Sequence, residues 1–126
     1  MQQGSKWIMI GSLSAAIAIG AGAFGAHGLR SRLDARSLEI FETGARYHLI
    51  HALALVLVGV LVAAGWSRAA RAGVAFVVGT MVFSGSLYAL AISGVKGLGA
   101  ITPIGGVAFI AGWVLLALAA RSRATS

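Results

Sequence analysis

Four long apolar runs without a charged residue dominate this sequence, and they cover residues 7–26, 47–64, 72–92 and 103–120. A hydrocarbon core about 30 Å thick needs around 20 consecutive apolar residues of helix, so each run predicts a membrane-spanning helix. Hydrophobic residues make up 59% of the chain and charged residues 10%, a composition that excludes an ordinary soluble domain. We therefore predict an all-α integral membrane protein, with a single domain over residues 1–126.

The connections between the runs predict how the helices are arranged. The second and third connections are short, which favours antiparallel neighbours in a four-helix bundle. The first connection is long, and its second half has the helical spacing of Leu38, Phe41 and Ala45. Glu42 and Arg46 form an i, i+4 pair there in the favourable orientation. We expect a helix that starts near Ser37, lies along the membrane interface and bends at or near Gly44.

Residues at the ends of the runs indicate where the membrane surfaces lie. Thr102 before Pro103 predicts an N-cap hydroxyl followed by a proline at the first helical position. Trp7 and Trp66 are expected at one interface and Tyr47 at the other, because amphipathic rings prefer the headgroup level. Trp113 falls in the middle of the fourth run, where it is expected to pack between helices or to face lipid.

The chain carries a net charge of +7, but its basic residues are scattered between the apolar runs. Without a basic stripe or interleaved aromatic residues, this charge predicts contact with anionic lipid headgroups and no nucleic-acid partner. Each side of the membrane would hold five Lys or Arg residues. If Arg46 is drawn into the bundle by Glu42, the count favours both termini in the cytoplasm. The first run is longer than a signal-peptide core, so we expect it to be retained.

Small residues in the runs predict close helix packing. Helices in lipid associate through close backbone approach and interhelical hydrogen bonds. Packing is expected either inside one bundle or against a second copy or partner subunit. The sequence offers four-residue spacings that include Gly22, Gly25, Gly85 and Gly112, as in Ala18-Gly22-Ala26, Ala21-Gly25, Gly85-Ala89 and Ala108-Gly112.

Polar side chains gather at one end of the predicted bundle, and ionisable groups at membrane depth are functional candidates. The cluster contains His27, Glu42, Arg46, Tyr47, His48 and His51. His48 and His51 are three residues apart and are expected to share a helix face. Three interpretations stay open: hydrogen bonds to loop carbonyls that fix the first connection, a haem or quinone site that uses His27 and His51, and a proton or ion relay through Glu42, Arg46 and His51.

Catalytic chemistry has little support in the sequence. The chain has no cysteine, which excludes disulfides and thiolate sites. Ser84, Ser86 and Ser93 have no evident base beside them, and hydroxyls in a membrane helix usually bond to their own helix or across to a neighbour. Two co-facial histidines are too few for a zinc site. We predict no catalytic residues, no metal site and no enzyme.

Several blocks of residues, in order along nearly the whole chain, resemble the YgdD-like family of small bacterial inner-membrane proteins. The blocks are residues 22–29, 41–44, 46–47, 51–55, 83–88 and 98–106 (GAFGAHGL, FETG, RY, HALAL, FSGSLY and LGAITPIGG). The family is classed as a domain of unknown function and has small eukaryotic membrane-protein relatives. The resemblance therefore implies a four-helix protein of the bacterial inner membrane and little about activity.

Carried over onto this chain, the family motifs fall on His27, Glu42, Arg46, Tyr47, His51, Ser84, Ser86, Tyr88, Thr102 and Pro103. The family pattern has glutamine where this chain has His48, so the resemblance does not support a shared His48–His51 pair.

Taken together, the residues favour a non-enzymatic membrane subunit or scaffold, whose partners are lipids and either its own copies or another membrane protein. An oligomeric transporter of a small solute, ion or proton is the alternative, and a haem- or quinone-binding subunit is the third.

Overall fold

The computed structural model describes residues 2–124, and this part of the chain is almost entirely helical. Four of its helical stretches are long and apolar enough to cross a membrane. The bounds of the helices are α1 Gln2–His27, α2 Ala35–Ala63, α3 Ala69–Gly79, a π-helical segment Thr80–Ser84, α4 Gly85–Ser93, a short 3₁₀ segment Lys96–Ala100 and α5 Thr102–Ala124. The all-α, four-span architecture predicted from the apolar runs is confirmed.

Helix α1 packs on α2 through small residues that recur every seven positions: Gly4, Gly11, Ala18 and Gly25. A Cβ on Gly4 would lie 2.6 Å from the carbonyl oxygen of Gly59, and a Cβ on Gly11 would lie 2.7 Å from that of Ala52. Ala18 is buried, and Gly25 abuts the ring of Phe41. Contacts that run up α1 and down α2 make the two helices antiparallel, and seven-residue spacing is the repeat of a left-handed helix pair.

The third span consists of α3, the π-helical segment and α4, which follow one another without a break. In the π-helical segment the amide of Gly85 bonds to the carbonyl of Thr80, five residues earlier. Helix α5 packs along α3 and this segment by placing glycines against aromatic rings. A Cβ on Gly112 would lie 2.5 Å from the ring of Phe76, and Gly79 lies equally tightly against Phe109.

Helix α2 differs from its prediction at its start. It begins at Ala35 rather than near Ser37 and continues as one α-helix past Gly44 to Ala63. Asp34 caps this start, since its Oδ1 accepts a 2.7 Å hydrogen bond from the amide of Ser37. This bond holds the pKa of the exposed Asp34 carboxyl below its ordinary value of 3.8. The helix is not interrupted at Gly44. This glycine instead allows close packing, since a Cβ there would lie 3.1 Å from the ring of Tyr88.

The length of α2 explains how one helix can both cross the membrane and extend into its interface. It has 29 residues. At about 1.5 Å per residue such a helix is longer than a hydrocarbon core of about 30 Å, so its ends reach the headgroup region. The helix in the first connection is therefore the first part of α2 itself.

Two expectations about helix ends are corrected. Trp7 is buried at 6% exposure and its ring packs on Gly73 of α3, so it is a core residue and not a surface anchor. The hydroxyl of Thr102 lies 2.6 Å from that of Ser86 and contacts the carbonyl of Leu98, and among residues 2–124 it caps no helix amide. In both cases a neighbouring helix supplies the contact: Gly73 of α3 for Trp7, and Ser86 of α4 for Thr102.

The four glycines predicted for packing lie in two kinds of surroundings within the bundle. Gly25 and Gly112 meet aromatic rings of neighbouring helices, whereas a Cβ on Gly22 or Gly85 would meet nothing within 4 Å. The α1–α2 contact follows a seven-residue repeat, so the four-residue spacing through Gly22 turns away from α2. Inside this chain, Gly22 and Gly85 are therefore not packing residues.

Candidate functional site: two buried histidines in the membrane

Helix α2 carries two buried histidines, His48 and His51, at 7% and 3% exposure. The prediction that these two histidines share one face of α2 is not met, because each of them bonds to a different neighbouring helix. His48 contacts α1 and α4, and His51 contacts α5. Three residues of an α-helix turn through about 300°, which leaves adjacent but distinct sides of α2 facing these two neighbours.

His48 joins two hydroxyls from other helices. Its Nε2 lies 2.9 Å from the Oγ of Ser14 in α1, and its Nδ1 lies 2.9 Å from the hydroxyl of Tyr88 in α4. A hydroxyl can donate or accept, so this arrangement accommodates either tautomer of a neutral imidazole. We call Ser14, His48 and Tyr88 the polar triad.

His51 is held in one tautomer by its partners. The indole Nε1 of Trp113 donates a 3.1 Å hydrogen bond to the Nε2 of His51. An indole nitrogen can only donate, so Nε2 accepts and the ring hydrogen of a neutral His51 is on Nδ1. That Nδ1 donates to the carbonyl oxygen of Tyr47, 2.8 Å away. Neither nitrogen of His51 is left for a ligand.

Aromatic rings surround His51. Its imidazole stacks on Phe109 with 3.5 Å between the ring centroids and 10° between the planes. The rings of Phe76 and Trp113 lie against it at 5.4 and 5.9 Å. This packing joins α2, α3 and α5 in the interior of the bundle, and buried aromatic pairs of this kind add stability beyond their area.

Hydroxyls of the third span tie it to its neighbours. The Oγ of Ser84 donates a 2.8 Å hydrogen bond to the carbonyl of Gly44 in α2. Ser86 meets Thr102 of α5 at 2.6 Å and also donates to the carbonyl of Phe83. Ser93 donates to the carbonyl of Ala89 in its own helix. The serines thus do what the sequence predicted, since they bond back to their own helix or across to another.

The predicted polar cluster separates into a buried part and an exposed part. His48 and His51 are buried, whereas the side chains of His27, Glu42 and Arg46 are exposed. Tyr47 is 39% exposed, and its ring lies against Phe83.

The ion pair found within residues 2–124 joins Arg36 to Glu39, so the expected Glu42–Arg46 pair is not formed. Both side chains are exposed on the outer side of α2.

Sequence reasoning missed Ser14 and Thr80, which contact or neighbour the buried histidines, and it did not predict that Trp113 bonds to His51. A hydroxyl in the middle of the first apolar run was the available signal for Ser14, but which residue it meets depends on packing. Among the residues from 2 to 124, no group of three or more His, Cys, Asp or Glu side chains is placed to hold a metal ion. The arrangement can therefore orient hydrogen bonds inside the membrane through neutral side chains.

A family model described as "Protein of unknown function (DUF423)" matches residues 21–106, which is most of the chain. The chain belongs to the DUF423 family. It is 43% identical to UPF0382 membrane protein YwdK of Bacillus subtilis (strain 168), over 90% of this chain and 94% of that protein. It is also 43% identical to UPF0382 membrane protein SAB0533 of Staphylococcus aureus (strain bovine RF122 / ET3-1), over 90% of this chain and 93% of that protein. No solved structure matches the chain.

The DUF423 match covers both histidines of α2 and the whole third span. Ser14 and Trp113, which bond to these histidines, lie outside the matched residues. The relatives are named membrane proteins, in agreement with the four spans, and their names state no activity.

Proposed function

We propose that this DUF423 protein is a non-enzymatic membrane subunit that packs against its own copies or against a larger membrane protein. The supporting observation is the free side of α1. The small residues of α1 that are spaced by seven positions pack against α2. On another side of the same helix, Gly22 faces open space and Ala26 is exposed. Glycine in an exposed helix costs about 1 kcal/mol relative to alanine, a cost that close approach of another helix offsets.

The shape of the chain supports the same proposal. The connections between the four spans are short, at residues 28–34, 64–68 and 94–101. Almost all of the surface is therefore lateral helix surface, where the available partners are lipids and other membrane helices. Large apolar side chains such as Leu13, Ile17 and Phe24 cover the exposed side of α1 at 61%, 64% and 52% exposure.

We further propose that the chain lies in the bacterial inner membrane with both termini in the cytoplasm, and that it belongs with the YgdD-like proteins. The orientation is supported by arginines that lie together at the end of the bundle where the chain terminates. Arg68, Arg71 and Arg121 line one cavity of about 360 Å³ there. Clustered arginines favour the cytoplasmic side. The blocks shared with YgdD-like proteins support the family subdivision.

The test is the size of the assembly that the full chain forms in its own membrane, extracted mildly and measured by native mass spectrometry. We expect a defined oligomer or a stoichiometric partner, and a smaller species for Gly22→Leu. Gly20→Leu is a control on the same helix, because Gly20 also has open space around it but lies about 200° away on the helix surface. A bare monomer for the natural chain, or the same assembly for Gly22→Leu, would contradict the proposal.

A further inference from the structure

A lateral groove opens between α1 and the third span, above α2. Its volume is about 300 Å³, at the lower limit of the roughly 300–1,000 Å³ typical of small-molecule sites. The polar residues along it are Ser14, His48, Thr80, Ser84 and Tyr88. Met81 and Ile10, which also line the groove, are 72% and 38% exposed, so the groove is open to the lipid.

About one turn from the groove residues Ile10 and Val77, α1 is joined to α3 by Trp7. The ring of this residue lies in the space above Gly73, where a Cβ would approach it to 2.8 Å. Beyond that contact, α1 and the third span are separated by the polar triad, in which His48 of α2 bonds to both of them. The floor of the groove is thus α2, and its walls are α1 and the π-helical segment with α4.

The polar triad lies inside the apolar part of the bundle. Ser14 is near the centre of the span Gln3–His27, eleven residues from one end and thirteen from the other, whereas Tyr88 is five residues before the end of the third span at Ser93. At about 1.5 Å per residue, Ser14 is roughly 16–20 Å from either end of α1, and Tyr88 is about 8 Å from the end of its span. Water is absent from the bilayer core, so a polar group at this depth needs a partner that is itself dissolved in the membrane.

Counting hydrogens shows that the triad has a donor to spare. Neutral Ser14, His48 and Tyr88 carry one polar hydrogen each on these side chains, and their two contacts use two of the three. Whichever tautomer His48 adopts, one hydroxyl hydrogen, on Ser14 or on Tyr88, has no acceptor within the triad. Neither hydroxyl has a further hydrogen-bond partner among residues 2–124.

Thr80 adds a second unused donor beside the same groove. Its hydroxyl is buried and has no hydrogen-bond partner in the described part of the chain. Thr80 begins the π-helical segment, and such wide turns occur frequently at functional sites. An unpaired polar group is costly in hydrocarbon, and both unused donors require an acceptor.

We infer that this groove binds a lipid-soluble molecule that presents a carbonyl oxygen within the hydrocarbon core, an isoprenoid quinone being the matching class. The spare donors need an acceptor, the opening faces the acyl chains, and a quinone ring can diffuse to this depth. The ester carbonyls of phospholipids share this chemistry but are held at the edge of the hydrocarbon core, whereas the carbonyls of a quinone ring can enter it. The inference concerns binding alone and is independent of the proposed packing role.

The experiment uses the full chain in nanodiscs of phosphatidylglycerol and phosphatidylcholine, with decylubiquinone as the probe. Native mass spectrometry counts probe and phospholipid retained per chain as the probe concentration is raised. We expect saturable binding of one decylubiquinone per chain. Retention of phospholipid in place of the probe would overturn the quinone assignment, and a probe signal that rises without saturation would overturn the site.

Two variants with matched controls locate the binding. Gly85 lines the groove and has open space around it, so Gly85→Leu is expected to fill the groove and abolish binding, while Gly20→Leu binds as the natural chain does. Thr80→Val removes one donor and is expected to weaken binding about tenfold. Its control is Thr43→Val, since the hydroxyl of Thr43 bonds to the carbonyl of Glu39 outside the groove. Circular dichroism checks that each variant is folded. Unchanged affinity in Thr80→Val would overturn the inference even if Gly85→Leu failed to fold.

Discussion

Trp113 of α5 and His51 of α2 are joined by a hydrogen bond whose direction is set by chemistry, because the indole can donate and cannot accept. The bond connects the second span to the fourth, and its two residues are 62 positions apart in the sequence. It therefore links the half of the bundle that contains α1 and α2 to the half that contains α5, and it does so with neutral groups.

We expect this bond to contribute a modest amount to stability. Hydrogen bonds between membrane helices average about 0.6 kcal/mol in double-mutant cycles, with a maximum near 1.7 kcal/mol. Trp113→Phe keeps an aromatic ring and removes the donor, and His51→Phe removes the acceptor. The two single variants and the double variant, unfolded in detergent mixtures, should give a coupling energy in this range. A coupling energy indistinguishable from zero would show that the bond does not stabilise the bundle.

The row of small residues between α1 and α2 leaves no room for a larger side chain. At Gly11 a Cβ would lie 2.7 Å from the backbone nitrogen of Val56, and backbone atoms cannot move aside. Gly11→Leu should therefore destabilise the chain by at least the 1–3 kcal/mol or so typical of overpacked cores. Thermal unfolding in detergent measures the loss, with Gly20→Leu as the control that meets open space. Equal melting temperatures for the two variants would contradict the packing described for Gly11.

The cap at the start of α2 should make the first turn of that helix sensitive to acid. The folded-state pKa of Asp34 is lowered by its hydrogen bond from the Ser37 amide, so the stabilisation is present above the ordinary value of 3.8. It is lost as the pH falls below that value and through the lower folded-state pKa. The Ser37 amide should therefore be less protected from hydrogen exchange at acid pH. Its exchange rate should approach the rate of an unprotected amide at the same pH.

Asp34→Asn separates charge from hydrogen bonding, because asparagine also caps helices but does not titrate. We expect this variant to protect the Ser37 amide at all pH values and to lose the acid-dependent opening. Asp34→Ala should leave the amide unprotected throughout. Protection that is the same in the natural chain and in Asp34→Ala at neutral pH would show that the cap is not formed.

The absence of cysteine from the chain makes its orientation directly measurable. Ser31 and Ser67 are exposed in connections at opposite ends of the bundle. With both termini in the cytoplasm, Ser67→Cys should be protected from a membrane-impermeant maleimide in intact cells, and Ser31→Cys should react. The reverse result would place the termini outside. Labelling of both positions after the cells are opened is the control for accessibility.

The number and approximate position of the spans could be predicted because length and lack of charge are local properties, visible in each apolar run. The row through Gly4, Gly11, Ala18 and Gly25 was also present in the sequence. The four-residue spacings of small residues predict a different contact surface on α1, so this row was not predicted. Seven-residue repeats and four-residue repeats place different residues against a neighbour, and only the first agrees with the observed contact.

The candidate site was harder to predict, for a physical reason. His48 and His51 could be selected from their depth in an apolar run, but their partners Ser14, Tyr88 and Trp113 belong to three other helices. Which residues meet across helices depends on rotation and tilt, and the sequence pattern contains neither. The exposed charges of Glu42 and Arg46 had suggested a pair because they are i, i+4 neighbours. Each instead projects away from α2.

The wide turn at Thr80–Ser84 has a consequence for the rest of its span. A π-helical turn accommodates one more residue than an α-helical turn, and one residue corresponds to a rotation of about 100°. Residues on either side of it are therefore out of phase with a single uninterrupted helix, and residues on both sides reach α2: Phe76 packs on His51, as well as on Gly112 of α5, while Ser84 and Tyr88 bond to Gly44 and His48. Deletion of one residue from this turn would bring the two halves back into phase and swing Tyr88 away from His48. The turn therefore lets residues on both sides of it face α2 along the length of the third span.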